Sequence, residues 1–227
     1  MGKDKLRKFR ELDSFSNSLQ PSMEEVRQGI ALQGKWAKDH FGNDHPVVIE
    51  LGCGHGDYTV ALSELHPDTN FIGVDIKGAR MWRGAKTAME RPLTNAAFLR
   101  TRIEWITGCF GPGEVDAIWI TFPDPQIKYQ RAKHRMVSPK FLEMYRQILK
   151  PGGRIHLKCD SEFLHGYTHG LIEALGHKVH EAYHDIDDQI RDQPDHPAHA
   201  CTTYYEQMWR EQGKAITYLE FSLEPKG

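Results

Sequence analysis

A glycine-punctuated turn after a short apolar segment constrains this chain more than any other feature. Residues 47–51 are apolar except for Glu50, and from Asp57 onward the apolar residues take up helical spacing. Three glycines stand between these two parts at every second position, namely Gly52, Gly54 and Gly56. This pattern predicts a buried strand, a tight turn and the N-terminus of a helix. Because glycine has no Cβ atom, a ligand can approach the backbone of such a turn closely.

Two carboxylates indicate which ligand the turn would hold. Glu50 lies two residues before the first glycine, which suits a cationic or amino-bearing group better than a pyrophosphate. A dinucleotide-binding turn would instead require glycine at position 57, where this chain has Asp57. Asp75 ends a second apolar segment about twenty residues later, where a carboxylate can accept both hydroxyls of a ribose. The pattern favours S-adenosylmethionine as the ligand, while a simple helix cap at Asp75 is the alternative.

Strand and helix patterns alternate from residue 47 onward and predict an α/β fold with a doubly wound, mostly parallel seven-stranded sheet of the Rossmann-like type. The predicted strands span 47–51, 70–74, 96–99, 114–121, 154–160, 177–183 and 215–223. The predicted helices include 22 to about 40, 57–66, 103–109, 161–175 and 201–211. The carboxyl ends of parallel strands meet at one edge of a sheet, so polar residues there should surround one crevice. These residues are Glu50, Asp75, Arg102, Asp124 and Asp160.

Length and composition fit a globular protein. Its 227 residues are 39% hydrophobic and 26% charged without low-complexity tracts, so a sizeable core can form. The four cysteines form no C-x-x-C pair, and the histidine pairs lack a third ligand, so we expect neither a disulfide framework nor a metal site. The sequence shows no apolar signal region and no membrane-spanning apolar run, so we expect a cytoplasmic protein. A monomer or homodimer with no obligate protein partner is expected.

Charge is distributed unevenly, although the net charge is only −2. Residues 1–20 are predicted to form a basic N-terminal arm ahead of a single domain at 21–227, and the sequence leaves open whether the arm is disordered alone or lies on RNA. Residues 126–140 contain several cations and no acid. The helix predicted after Asp75 has a basic outer face, because its cations are three residues apart. These are Arg80, Arg83 and Lys86.

The segment Phe122-Pro123-Asp124-Pro125 places one carboxylate between two prolines at the end of a predicted strand. The prolines fix φ on either side, so Asp124 should be held beside the methyl group of the donor. A carboxylate there can orient a base through its exocyclic N–H groups and offset the charge that develops on an attacking ring nitrogen. A proline-stiffened loop in which Asp124 bonds only its own backbone is the alternative.

Six motifs occur in an order that resembles the bacterial tRNA (guanine-N7)-methyltransferase family, and they span nearly the whole chain. They are Glu50-Leu51-Gly52-x-Gly54-x-Gly56, Phe71-Ile72-Gly73-Val74-Asp75-Ile76, Phe122-Pro123-Asp124-Pro125-x-x-Lys128, Leu149-Lys150-Pro151-Gly152-Gly153, Lys158-x-Asp160 and Thr203-x-Tyr205-Glu206. The resemblance implies a class I methyltransferase fold and S-adenosylmethionine as the donor. It also implies N7 of a guanine in the variable loop of tRNA as the acceptor.

The resemblance also implies roles for individual residues. The cofactor-binding positions are Glu50, Gly52, Gly54, Gly56, Asp75, Arg102 and Asp124, and Asp124 is also the implied catalytic residue. Many members of the family carry an acid where Arg102 stands, so we expect backbone groups to contact the adenine here. The substrate-binding positions are Lys128, Arg131, Lys133, Arg135, Asp160, Thr203, Tyr204, Tyr205 and Glu206.

Two other interpretations stay open at this point. A methyltransferase that acts on a small molecule would share the cofactor site but would have no use for the basic run that follows Asp124. A catalytically silent RNA-binding homologue would show damage in Glu50, in the glycines or in Asp124, and these residues are all present.

Overall fold

The computed structural model describes residues 3–224, with Lys3 described in its backbone only. Residues 1–2 of the predicted arm, the side chain of Lys3 and residues 225–227 lie outside the described residues. The strands are β1 (Ser18–Leu19), β2 (Val47–Leu51), β3 (Asn70–Asp75), β4 (Ala96–Arg100), β5 (Val115–Thr121), β6 (Leu149–Cys159), β7 (Lys178–Tyr183) and β8 (Thr217–Ser222). The α-helices are α1 (Lys3–Ser14), α2 (Met23–Gln28), α3 (Asp57–Leu65), α4 (Gly78–Glu90), α5 (Pro139–Ile148), α6 (Glu162–Ala174), α7 (Ile186–Gln189) and α8 (Tyr204–Glu211).

All eight strands belong to one sheet with the order β1-β4-β3-β2-β5-β6-β8-β7. The pairs from β1 to β6 in this order are parallel, and β8 is antiparallel to both of its neighbours. The predicted doubly wound, mostly parallel sheet is confirmed with its seven strands, and β1 adds an eighth. The chain continues from β2 to β3 on one side and later places β5 on the other. The boundary between β2 and β5 is therefore the topological switch point, where such sheets bind ligands.

Both faces of the sheet are buried, which the alternation of side chains along β4 shows. Ala97 and Leu99 enter one apolar cluster, whereas Ala96 and Phe98 enter a second cluster with α1 and α4. Successive side chains of a strand point to opposite faces, so each face packs against its own layer. The apolar runs of the parallel strands follow from this double burial.

The predicted helix from residue 22 to about 40 is wrong in its second half. Ser22 and Glu25 form a capping box at the start of the helix, but α2 ends at Gln28, and the Gly29 that follows has a φ of 86°. The chain then turns inward and forms a π-helix at Trp36–Phe41. Trp36 is fully buried and stacks on Phe110 at a centroid distance of 5.4 Å. Burial of the indole against a segment distant in sequence therefore overrides the helical pattern.

Three other boundaries differ from the prediction. The segment Ile103–Gly108 is a 3₁₀ helix and not an α-helix. The strand predicted at 154–160 begins earlier, because Leu149 already pairs with Val115, and a register irregularity separates this pair from that of Ala117 with Arg154. The helix predicted to begin at residue 201 begins at Tyr204.

The segment predicted as a basic arm forms regular structure in its described part. The helix α1 packs against α4, and β1 extends the sheet by pairing with β4. Leu12 is fully buried in this contact, and Asn17 donates a hydrogen bond to the carbonyl of Ala85. The division of the chain at residue 20 stays a prediction.

Candidate active site

A cavity of about 480 Å³ opens at the carboxyl ends of β2, β3, β5 and β6, beside the topological switch point. Small-molecule sites commonly have volumes of about 300–1,000 Å³. Four of the five polar residues that were predicted to converge line this cavity, namely Glu50, Asp75, Asp124 and Asp160. Gly52, Gly54 and Tyr205 also line it. The cavity is therefore rich in carboxylates and can receive a cationic group.

Arg102 is the exception to the predicted convergence. It lines an adjoining cavity of about 250 Å³, which shares Gly52 and Asp75 with the first. Its guanidinium lies over the Trp105 ring at 5.6 Å and 3.8 Å from the carboxylate of Glu104. Arg102 follows β4, which is one strand further from the switch point than β3. A role of Arg102 in cofactor binding stays a prediction.

The three glycines of the turn have positive φ angles of 75°, 55° and 78°, at Gly52, Gly54 and Gly56 respectively. A Cβ atom on Gly56 would lie 2.5 Å from the Phe98 ring and 3.1 Å from the Cα of Gly84. Gly56 is thus required for the packing of the turn against α4. A Cβ atom on Gly54 would meet nothing closer than 3.9 Å. The backbone at Gly54 therefore borders open space and leaves room for a ligand.

Glu50 lies at the end of β2 and is only 4% exposed. Its Oε2 accepts hydrogen bonds from the backbone N–H of Thr59 at 2.9 Å and from the Thr59 hydroxyl at 2.6 Å, while its Oε1 accepts from the Thr121 hydroxyl at 2.7 Å. Desolvation by burial raises the pKa of Glu50 to about 7, against the lowering effect of these hydrogen bonds. A nearby cation would favour the ionised form.

Asp75 lies at the end of β3 and ties that strand to the glycine turn. Its Oδ2 accepts from the backbone N–H of Gly54 at 3.0 Å, and its Oδ1 accepts from that of Lys77 at 2.7 Å. The second bond also matches the alternative interpretation, in which Asp75 stabilises the start of the following helix. Both interpretations are compatible with one carboxylate, because each oxygen carries more than one lone pair.

Asp124 is exposed in a loop with two strained positions. Phe122 and Gln126 both have a φ of 47°, a conformation that is uncommon outside glycine. The Oδ1 of Asp124 accepts a hydrogen bond from the backbone N–H of Gln126 at 2.9 Å. Its other oxygen has no protein partner among residues 3–224. The strain therefore falls on the residues that flank the prolines, which the sequence pattern did not indicate.

Arg135 explains how this loop is held. It is 5% exposed, and its guanidinium donates to the carbonyls of Pro125 at 3.2 Å, Gln126 at 3.2 Å and Ile127 at 3.5 Å. The same guanidinium lies over two aromatic rings of α6, at 4.3 Å from the centre of the Tyr167 ring and 4.9 Å from that of Phe163. Arg135 was predicted to contact RNA, but its side chain faces the interior. Its hydrogen bonds stabilise the loop that carries Asp124.

The other predicted RNA-binding cations lie on the surface. The segment Tyr129–His134 is a 3₁₀ helix, and Lys128, Arg131 and Lys133 are exposed. Arg131 donates to the side-chain oxygen of Gln126 at 2.6 Å. Tyr129 is 92% exposed, which leaves an aromatic ring among these cations. Cations with an exposed ring can bind both the phosphates and the bases of a single strand.

The predicted substrate-binding residues of α8 divide into a buried and an exposed group. Thr203 caps the helix by accepting from the backbone N–H of Glu206 at 3.1 Å. Glu206 is fully buried and forms an ion pair with Lys158 at 2.8 Å, and burial raises its pKa. Tyr205 lines the cavity, whereas Tyr204 is 65% exposed and does not. The buried ion pair therefore fixes the start of α8 next to the cavity.

Asp160, at the carboxyl end of β6, completes the cavity on that side. Its Oδ2 lies 3.3 Å from the ammonium of Lys214, which also lies over the Trp209 ring at 3.6 Å. Trp209 lines the cavity as well. Sequence reasoning missed this contact, because Lys214 and Trp209 belong to no recognisable motif.

Several further residues at the cavity were also missed. His55 stacks with Tyr205 at a centroid distance of 6.5 Å, and its place between two glycines of the turn is the signal that could have identified it. Thr121 binds Glu50 from the end of β5. Lys77 and Arg80 reach the cavity from the start of α4. Within residues 3–224, no group of three potential ligands could hold a metal ion, and no helix is long and apolar enough to cross a membrane.

The strand order and the acid-rich cavity at the switch point define a class I methyltransferase, the fold that uses S-adenosylmethionine. Residues 44–219, more than half of the chain, match the family described as "Putative methyltransferase". The chain is 52% identical to the tRNA (guanine-N(7)-)-methyltransferase of Christiangramia forsetii, over 98% of this chain and 99% of that relative. It is 48% identical to the protein of the same name from Porphyromonas gingivalis, over 88% and 81%. The chain belongs to the tRNA (guanine-N(7)-)-methyltransferase family.

Solved structures show the same fold at much lower sequence identity. The 16S rRNA methyltransferase KamB matches with a TM-score of 0.59 at 15% identity, over 79% of this chain and 88% of that chain. The 16S rRNA (adenine(1408)-N(1))-methyltransferase of Catenulisporales acidiphilia matches with a TM-score of 0.59 at 16% identity, over 85% and 94%. The predicted family and fold class are thus confirmed.

Proposed function

We propose that this protein transfers a methyl group from S-adenosylmethionine to N7 of a guanine in the variable loop of tRNA. We further propose that it does so in the cytoplasm, as a monomer or homodimer without an obligate protein partner. The observation that carries the proposal is the gathering of Glu50, Asp75 and Asp124 around one cavity. The full-length similarity to relatives of that name supports the choice of substrate.

The residues of the cavity fit the donor. The open backbone at Gly54 and the carboxylate of Asp75 suit a ribose, which needs close approach and hydrogen-bond acceptors. Glu50, with a pKa of about 7, becomes a carboxylate when a cationic group approaches. S-adenosylmethionine supplies an electrophilic methyl group when bound. The chain holds the reactants in line for a displacement, which depends mainly on positioning and electrostatic matching.

Asp124 acts on the acceptor base. Its carboxylate is exposed at the cavity and restrained by the Gln126 N–H and by the loop bonds of Arg135. N7 of guanine attacks with a lone pair and becomes positive without losing a proton in that step. Asp124 accepts hydrogen bonds from exocyclic N–H groups of the base and offsets the developing charge. A fixed carboxylate therefore favours the transition state over the ground state.

The exposed cations after β5 bind the tRNA. Lys128, Arg131 and Lys133 neutralise phosphates, which makes the affinity fall steeply with salt. Tyr205 and His55 present ring faces at the cavity, on which a base can stack. A small-molecule substrate would not need either feature.

The direct test is to map the methyl group. Purified protein is incubated with labelled S-adenosylmethionine and unmodified tRNA, and the digested RNA is analysed by mass spectrometry. The proposal predicts 7-methylguanosine in the variable loop and no label in a matched transcript whose variable-loop guanine is replaced by adenine. Label in small amines, label at another nucleotide, or no transfer at all would overturn it.

A further inference from the structure

The helix α4 presents a face of cations that begins at the cavity. Lys77, which precedes the helix, and Arg80 both line the cavity. Arg83 continues the same face one helical turn further on and is exposed. Within the part of the chain that the structure describes, the side chains of these three residues make no ion pair and no hydrogen bond. Their positive charge is therefore available to a ligand outside the chain.

The helix α1, which packs against α4, adds cations to this side of the molecule and does not neutralise the positive charge of α4. Three cations surround the ring of Trp82, with Arg7 at 5.3 Å and Lys8 and Lys86 at 5.1 Å each. The Trp82 N–H donates to Glu11 at 2.8 Å, so the indole locks α1 to α4.

The acids of this region leave the exposed arginines unpaired. Asp4 and Glu11 of α1 pair with cations of their own helix, and Asp13, the third acid of α1, accepts a hydrogen bond from the side chain of Gln20. The single acid of α4, Glu90, lies 3.7 Å from Lys86. Among the described residues, no acid forms an ion pair with Arg83, and Arg80 forms none with the carboxylates that share the cavity with it, Asp57 and Asp75 among them.

We propose that Arg80 and Arg83 form a second phosphate-binding surface, which holds the tRNA backbone on the β3 side of the cavity. This inference rests on the proposed function. The basic run at 126–140 follows β5 and α4 follows β3, and these two strands lie on opposite sides of β2. The phosphates that flank the guanine are thus bound on both sides of the cavity, by α4 on the β3 side and by the basic run on the β5 side.

The chemistry of the side chains suits this role. Arginine presents a planar fork of N–H groups that can bind a phosphate through two hydrogen bonds. Arg80 and Arg83 are about 4.5 Å apart along the helix axis, so their long side chains can reach the same stretch of backbone. A solvated helix face is the usual reason for such charges. Here the face starts inside the cavity where the acceptor base must enter, and within residues 3–224 its arginines make no ion pair and no side-chain hydrogen bond.

The test variant is Arg83→Glu, because Arg83 is exposed and does not line the cavity. The matched control is Lys178→Glu, which makes the same change in charge at an exposed position at the start of β7, on the edge of the sheet opposite the cavity. The affinity for unmodified tRNA is measured over a series of salt concentrations, and the affinity for S-adenosylmethionine is measured separately. Arg83→Lys keeps the charge and serves as the conservative variant.

Arg83→Glu should bind tRNA at least about tenfold more weakly, since a hydrogen bond to a charged group is lost and a repulsive charge is added. The slope of log affinity against log salt should decrease by about 1. Affinity for S-adenosylmethionine should not change, and Lys178→Glu should bind tRNA like the unaltered protein. Arg83→Lys keeps the charge but not the planar fork, so its tRNA affinity should lie between those of the unaltered protein and Arg83→Glu, with an unchanged salt slope.

Equal tRNA affinity and equal salt slope for Arg83→Glu and Lys178→Glu would overturn the inference. The proposed function is judged apart from this result, by whether the unaltered protein methylates tRNA. If it does and the two variants bind alike, only the second phosphate-binding surface is refuted. If the unaltered protein neither binds nor methylates tRNA, both proposals fail.

Discussion

Arg135 was predicted to contact RNA, but the structure indicates that it positions the loop that carries Asp124. A substitution of Arg135 can distinguish these two roles. Its guanidinium donates to three consecutive carbonyls of the loop and is 5% exposed. Arg135→Lys keeps the positive charge, but a single ammonium cannot reach all three carbonyls in the geometry of a planar fork. We expect the loop around Asp124 to lose its single conformation while the basic surface stays intact.

The size of the effect follows from these contacts. A hydrogen bond to a charged group contributes about 1.5–3 kcal/mol, and lysine should preserve at least one of the three. The positive φ angles at Phe122 and Gln126 favour relaxation of the loop, because each costs about 1–2 kcal/mol. A loss of about 3 kcal/mol in the ordering of the loop would lower the population of the productive conformation, and with it kcat, by about 100-fold.

Steady-state methylation with tRNA as the varied substrate measures this effect. Arg135→Lys should lower kcat with little change in KM for tRNA, whereas Arg131→Lys, a matched change at an exposed neighbour, should leave kcat near its original value. Thermal unfolding of both variants checks that the fold persists. A raised KM with unchanged kcat in Arg135→Lys would refute the positioning role and restore the predicted contact with RNA.

Three further predictions concern buried groups. Since burial raises the pKa of Glu50 from 4.5 to about 7, the folded state keeps a proton that the unfolded state releases, and the free energy of unfolding should fall as pH rises through that interval. Glu50→Gln should abolish this fall in denaturant titrations, and an unchanged pH dependence would contradict it. Lys158→Met should lower the free energy of unfolding by about 1–3 kcal/mol, because the buried Oε2 of Glu206 loses its partner while Arg210 still pairs with Oε1, and adding Glu206→Leu should recover part of that loss. Equal stability of the single and double variants would argue against this. Gly56→Ala should lower the melting temperature and the protein yield, because its Cβ atom would lie 2.5 Å from the Phe98 ring, whereas wild-type stability would show that the turn can shift.

The strand ends of the site could be predicted because they follow a local rule. Each of the residues Glu50, Asp75 and Asp124 ends an apolar run, and parallel strands bring such ends to one edge. The geometry of the cavity then confirmed that these three carboxylates lie together. Positive φ angles in the glycine turn can also be predicted from the sequence, since three glycines at alternate positions indicate backbone conformations that other residues rarely adopt.

Roles that depend on distant contacts could not be predicted from the sequence. Arg135 stands in a run of exposed cations, and only the packing of α6 and the loop carbonyls distinguishes it from them. Glu206 was expected only as a substrate-binding position, and nothing in its local sequence indicates its buried ion pair with Lys158, which is 48 residues away in the chain. The end of α2 was missed because Trp36 is buried against Phe110, a contact that helical periodicity does not encode.

The most direct test of the account is single-turnover methyl transfer by Asp124→Asn, with S-adenosylmethionine and unmodified tRNA both at saturating concentration. Under these conditions weakened binding cannot hide or mimic a defect in the transfer step. Removal of a preorganised electrostatic group commonly costs about 100- to 1,000-fold in rate, and we expect a loss of that size with an unchanged melting temperature. Transfer of the methyl group at the original rate would contradict the claim that Asp124 stabilises the reacting guanine.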